Sequence, residues 1–204
     1  MLLTLPNILT ISRVPLMFVV VGLMYAEFDW AATLAFWLYI AAALTDWLDG
    51  MLARRANQVS SFGRFMDAVI DKVLVLGLMI ALINGDYFRI FGKNFTITAM
   101  VLLLCILCRE FAISGMRMAA AMKGVAIEAD SGGKVKTFVQ LNAIGWLLGW
   151  RMFAKDFGHL FPGDEAIVVQ SVHVIGMALF ALSAVLTITS GFSYFRRHGH
   201  VVTQ

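Results

Sequence analysis

Four aspartates, Asp46, Asp49, Asp67 and Asp71, stand close together in an otherwise apolar chain. They occupy the stretch Asp46-Trp47-Leu48-Asp49-Gly50-Met51-Leu52-Ala53-Arg54 and, eight residues later, Gly63-Arg64-Phe65-Met66-Asp67-Ala68-Val69-Ile70-Asp71. A carboxylate inside a membrane helix costs roughly 2.5–3.5 kcal/mol on insertion scales, and four together also repel one another. Divalent cations neutralise such a cluster most directly. Carboxylate oxygens suit hard ions such as Mg²⁺ or Mn²⁺. Gly50, Ala53 and Gly63 carry almost no side chain, so a ligand or a neighbouring helix can approach the backbone. Arg54 offers a planar fork for phosphate. Carboxylates, cations and a guanidinium at a lipid boundary point to phosphoryl chemistry. Ordinary ion pairing with Arg54, Arg55, Arg64 and Lys72 would leave the small residues unexplained.

These residues need helices to position them. A helix turns about 100° per residue, which puts Asp46, Asp49, Gly50, Ala53 and Arg54 on one face. Gly63, Asp67 and Asp71 recur at i, i+4 and i+8, again one stripe. The short break at 57–60 predicts two antiparallel helices with these faces opposed. The whole chain supports a membrane setting: it is 60% hydrophobic and 14% charged, with mean hydropathy +0.82. Soluble domains average about 45–50% apolar and about 25% charged. A span needs about 20 residues. The pattern predicts an all-α integral membrane protein, one domain over 1–204, with six transmembrane helices at roughly 7–26, 31–56, 61–84, 94–121, 134–154 and 166–195. Most of the 16 Lys and Arg residues fall on the side that carries the aspartates. Arg89, Lys93, Arg151 and Lys155 fall on the other. The positive-inside rule then makes the aspartate side cytoplasmic, with both termini. The same placement explains the net charge of +3 without nucleic acid as a partner. The N-terminal apolar segment lacks the features of a cleaved signal and is expected to stay as a helix. Cys105 and Cys108 read as small packing residues, His173 as a packed polar residue, and Gly145 with Gly149 as a helix-packing or dimer contact.

The aspartate stretch, Asp-x2-Asp-Gly-x2-Ala-Arg-x8-Gly-x3-Asp-x3-Asp, closely resembles the signature of the CDP-alcohol phosphotransferases, with all its defining positions filled. The resemblance implies that Asp46, Asp49, Asp67 and Asp71 bind Mg²⁺ or Mn²⁺. It implies that Asp71 also takes the proton of the acceptor hydroxyl. Asp49, Gly50, Ala53, Arg54 and Gly63 would cradle the cytidine diphosphate of CDP-diacylglycerol, with Asn7 and Thr10 lining the same site. A homodimer in a bacterial cytoplasmic membrane is the implied setting. Ala68 departs from the proline that the family often carries there.

Three further stretches bear on the acceptor. They are Leu5-Pro6-Asn7 through Arg13, the run Arg109-Glu110-x3-Ser114-x2-Arg117, and Gly133-Lys134-Val135-Lys136-Thr137. They resemble the family members that use glycerol 3-phosphate. The physical reading agrees, because Arg109, Arg117, Lys134 and Lys136 sit on the aspartate side. A phosphorylated acceptor needs such cations; serine or choline does not. The expected activity is metal-dependent transfer of a phosphatidyl group from CDP-diacylglycerol to glycerol 3-phosphate, among membrane lipids, with release of CMP. A sister enzyme using inositol phosphate or serine, a cation transporter that moves ions past the aspartates, and a non-catalytic adaptor stay open at this point.

Overall fold

A computed structural model describes the backbone over residues 5–56, 61–125, 131–158 and 165–203, and side chains over 12–45, 69–125, 133, 135–158 and 167–198. The described residues form six helices: α1 (Leu5–Met24), α2 (Ala31–Ala56), α3 (Ser61–Asn84), α4 (Thr96–Met122), α5 (Ser131–Lys155) and α6 (Glu165–Thr203). Their limits lie close to those expected, except that α6 continues through the basic C-terminal segment. α3 runs unbroken through Ala68, as the absence of proline there allows. One element was not expected. The α3–α4 link holds a two-residue ribbon, β1 (Arg89–Ile90) with β2 (Lys93–Asn94), paired antiparallel. Phe91 and Gly92 turn it with φ of 50° and 72°, the left-handed pair that a tight hairpin turn needs.

Side-chain links fix the direction of each helix. Arg13 reaches Asp71 and Tyr25 reaches Ala81, so α1 and α3 run parallel. Tyr39 bonds the Leu141 carbonyl and Thr33 bonds Asp156, so α2 and α5 are antiparallel. Gln140 meets Thr187 while Trp150 stacks on His173, which makes α5 and α6 antiparallel. The helices therefore alternate up and down. Among the described residues α1 packs on both α2 and α3, and α2 also packs on α5. The opposed aspartate faces of α2 and α3 expected from the short link lie outside the described residues; among the described ones, α1 is the shared neighbour of the two helices. The ends of α2 and α3 that carry the aspartate pairs lie outside the described side chains.

The core is apolar and central, with Val20, Met79, Leu82, Ile106, Leu147 and Phe180 nearly or fully buried. Gly145 and Gly149 serve packing within the chain. A Cβ at Gly149 would lie 3.3 Å from Phe36, and one at Gly145 3.4 Å from Tyr39, so the small stripe lets α2 ride close on α5. His173 is buried as expected. Its Nε2 lies 2.6 Å from the Tyr87 carbonyl oxygen, and its ring stacks on Trp150. Cys105 and Cys108 differ from expectation: both are free thiols on an exposed face of α4. At the same end as the ribbon, Asp156 accepts from Thr33 N and Thr33 Oγ1, both at 2.7 Å. That carboxylate satisfies the first turn of α2, where donors are otherwise orphaned and the helix dipole favours negative charge. Lys155 donates to the Ala26 carbonyl at 2.9 Å, tying down the chain beyond α1.

α4 and α6 are each long and apolar enough to cross a membrane, and α1 and α2 contain shorter apolar segments. Large apolar side chains cover the outside, among them Ile97, Phe192, Phe138 and Phe18. Soluble monomers rarely expose apolar surface on that scale.

Candidate active site

All six helices line one cavity of about 780 Å³. Its polar wall is built at the end of the bundle opposite the ribbon. α1 supplies Arg13, α3 supplies Asp71 and Lys72, α4 supplies Arg109, Glu110, Ser114 and Arg117, α5 supplies Lys136 and Gln140, and α6 supplies Tyr194. The deeper wall is apolar, with Met17, Val20, Leu78 and Ile106.

Arg13 is buried and its guanidinium lies 3.5 Å from Asp71 Oδ1. The Asp71 side chain is about half exposed, at 49%, and presents its carboxylate to the cavity. Glu110 is the other described carboxylate of the wall. Its Oε1 accepts from Arg109 at 2.9 Å and also pairs with Lys136. All three side chains are largely buried, so their charges are stabilised by one another rather than by water. Arg109 is further directed by α6. Its second guanidinium nitrogen donates to Ser190 Oγ at 3.0 Å. A Cβ on Gly191 would fall 2.6 Å from Arg109 Cγ, so only glycine leaves room for this side chain. Lys72 donates to Ser114 Oγ, and Ser114 donates to the Glu110 carbonyl at 2.7 Å. Arg117 is exposed along the same wall and forms no ion pair among the described residues.

Of the residues singled out by sequence, the structure brings Asp71, Arg109, Arg117 and Lys136 into this one cavity. Asp46, Asp49, Gly50, Ala53 and Arg54 fall on α2, Gly63 and Asp67 on α3, Asn7 and Thr10 on α1, and Lys134 on α5; their side chains lie outside the described residues. Among the described residues no group of three or more acidic, histidine or cysteine side chains comes together. The donor set proposed for a metal is carboxylate oxygen throughout, which suits Mg²⁺ or Mn²⁺, and the one described member faces the cavity. Sequence reasoning missed three contributors. Arg13 entered only as the end of the Leu5–Arg13 stretch, Lys72 only as an ion-pairing partner, and α6 only as an apolar span. Each left a trace: Arg13 closes the Asn7–Arg13 stretch, Lys72 adjoins Asp71, and Ser190-Gly191 interrupts an apolar run.

The profile of the CDP-alcohol phosphatidyltransferases matches residues 3–189. The chain belongs to this family. It is therefore an enzyme of the transferase class, and the family membership agrees with a membrane protein. Two similar relatives are named CDP-diacylglycerol–glycerol-3-phosphate 3-phosphatidyltransferase. One, from Rickettsia typhi, is 33% identical over 94% of this chain and 95% of its own length. The other, from Salmonella choleraesuis, is 36% identical over 93% and 91%. A relative in Oryza sativa, named cardiolipin synthase (CMP-forming), is 34% identical over 96% of this chain but 57% of its own. The family thus accounts for the aspartate stretch, while members similar to this chain carry more than one activity name.

Proposed function

We propose that this protein transfers the phosphatidyl group of CDP-diacylglycerol to glycerol 3-phosphate, giving phosphatidylglycerophosphate and CMP. The observation that carries this reading is the meeting of Arg109, Arg117 and Lys136 with Asp71 in one cavity. Cations that bind a phosphate and a carboxylate that takes a hydroxyl proton are the two things this acceptor requires. The names of the relatives from Rickettsia typhi and Salmonella choleraesuis support the same choice.

In this reading the 1-hydroxyl of glycerol 3-phosphate attacks the phosphorus that carries diacylglycerol. The new P–O bond forms as the bond to the CMP oxygen breaks, and Asp71 takes the hydroxyl proton. Arg109, Arg117 and Lys136, with Lys134, hold the acceptor phosphate. Asn7, Thr10, Asp49, Gly50, Ala53, Arg54 and Gly63 hold the nucleotide. Asp46, Asp49, Asp67 and Asp71 would hold Mg²⁺ or Mn²⁺, which supplies positive charge against the charge that develops on phosphate oxygens. The six helices all span a bacterial inner membrane, with both termini and the polar mouth of the cavity cytoplasmic. The lipid substrate enters sideways from that leaflet, and the protein works as a homodimer.

A second reading keeps the donor and changes the acceptor, as the Oryza sativa relative's name suggests for this chain plan. The deciding assay is CMP release by the purified protein with CDP-diacylglycerol and Mg²⁺ or Mn²⁺, adding glycerol 3-phosphate, inositol phosphate or serine separately. Release with glycerol 3-phosphate alone is expected. Release with another alcohol overturns the reading of the basic wall, and no release with any returns the ion-transport alternative.

A further inference from the structure

Lys72 follows Asp71 directly on α3, yet the aspartate signature gives it no task. Its side chain is half-buried and turned to α4, where Nζ donates to Ser114 Oγ. The Ser114 proton is committed to the Glu110 carbonyl, so its oxygen is left to accept and holds the ammonium in place. Arg117 and Arg109 line the same stretch of cavity wall as Lys72. No described carboxylate touches it. Asp71 pairs with Arg13, and Glu110 with Arg109 and Lys136. An ammonium partly withdrawn from water, beside two guanidinium groups and met by a neutral hydroxyl, is costly unless an anion joins it. Every one of these groups lines the same cavity.

We propose that Lys72 is a further phosphate-binding residue of the acceptor pocket, and that Ser114 is the positioning residue that aims it. This rests on the acceptor reading given above. The nucleotide residues of the signature sit on α2 and the start of α3, whereas Lys72 faces the seam with α4, where the acceptor cations are. Its covalent link to Asp71 also has a consequence. Neighbouring Cα atoms are about 3.8 Å apart, so one short segment of α3 presents the group that takes the hydroxyl proton and a cation for the phosphate. A small acceptor carrying both a hydroxyl and a phosphate can span the two. An alcohol without phosphate leaves Lys72 unanswered, so the residue selects for phosphorylated acceptors.

The test uses the full-length enzyme in detergent, with CDP-diacylglycerol and glycerol 3-phosphate varied separately. A charged hydrogen bond of the usual strength predicts that Lys72→Gln raises KM for glycerol 3-phosphate about tenfold or more, with KM for CDP-diacylglycerol within about twofold. Lys72→Arg should recover most of the loss, because it keeps the charge. Ser114→Ala should give a smaller rise of about threefold with the same split. Equal rises for both substrates in Lys72→Gln, or no rise for either, overturn the assignment. Should Lys72→Gln fail to fold, Ser114→Ala decides, and an unchanged KM for glycerol 3-phosphate in that variant overturns it. Failure of the acceptor reading is seen separately, as wild-type enzyme that releases no CMP with glycerol 3-phosphate. Inorganic phosphate then still tests Lys72 through thermal stabilisation. Wild type should shift upward and Lys72→Gln should not; equal shifts overturn the proposal.

Discussion

Glu110 Oε1 accepts from both Arg109 and Lys136, so one carboxylate oxygen sets the spacing of two cations proposed to bind the acceptor phosphate. Removing its charge leaves two largely buried cations facing each other. Breaking a buried ion pair by deleting one partner typically costs about 3–5 kcal/mol. Glu110→Gln should therefore lower the unfolding temperature in detergent and raise KM for glycerol 3-phosphate, while KM for CDP-diacylglycerol stays near wild type. A variant with wild-type stability would show that the pairs are not holding the wall. Asp71→Asn asks a different question. It preserves shape and removes the proton acceptor, so turnover should fall by at least about a hundredfold with the fold intact by thermal unfolding. Retained turnover in that variant would remove Asp71 from the reaction. Arg13 belongs beside it: a buried guanidinium 3.5 Å from Asp71 restrains that carboxylate from α1, a role that no count of loop charges could reveal.

At the scale of elements, α6 and α5 show how helices far from the aspartate signature shape its surroundings. α6 touches the polar wall through Ser190, Gly191 and Tyr194. Gly191→Ala places a methyl group 2.6 Å from Arg109 Cγ, and the arginine must move. The expected result is weaker use of glycerol 3-phosphate with unchanged use of CDP-diacylglycerol, measured as separate KM values. At the other end of the bundle, Asp156 caps α2. Asp156→Ala should cost about 1–2 kcal/mol of stability, with activity per folded molecule preserved because the cap lies away from the cavity. The sequence carried the helices well: apolar runs bounded by polar breaks located all six, with limits within a few residues except at the end of α6, which continues through the basic segment to Thr203. It carried the ribbon poorly, because two-residue strands show no periodicity and the Phe91-Gly92 turn lacks the usual asparagine or aspartate. The aspartate stripe is a reading from spacing, and of its four carboxylates only Asp71 falls among the described side chains. The wall around Lys72, Arg109 and Lys136 was legible as composition only, since which cation meets which carboxylate depends on contacts among α1, α3, α4, α5 and α6.

Across the described residues, large apolar side chains face outward around an apolar core that also encloses several polar groups. Ile97, Phe192 and Phe138 are exposed at 81%, 73% and 68%, while Arg13, Lys136, Gln140 and His173 are buried. Lipid explains both halves of this pattern. Apolar side chains face hydrocarbon at no cost, and polar groups withdraw to a shared interior where they satisfy one another or line a cavity. The direction of the helices then divides the molecule into two ends. One end holds the wall from Arg13 to Lys136. The other holds the ribbon with Arg89 and Lys93, together with Lys155 and Asp156. The excess of Lys and Arg at the first end predicts by the positive-inside rule that it faces the cytoplasm, a prediction that labelling checks. Cys105 and Cys108 would first be replaced by alanine; both are exposed and free, so little packing is lost. Single cysteines would then be introduced at Lys93, in the ribbon, and at Val125, beyond α4, two exposed positions at opposite ends. A membrane-impermeant maleimide applied to intact cells with the outer membrane opened should label Lys93→Cys. It should label Val125→Cys only after the inner membrane is broken. The opposite pattern would turn the cavity outward, away from a cytoplasmic supply of glycerol 3-phosphate. Labelling of both positions in intact cells would mean that α4 does not cross the bilayer. The expected result places the wall proposed to bind phosphate on the side where a soluble phosphorylated acceptor and a membrane-bound nucleotide lipid can meet.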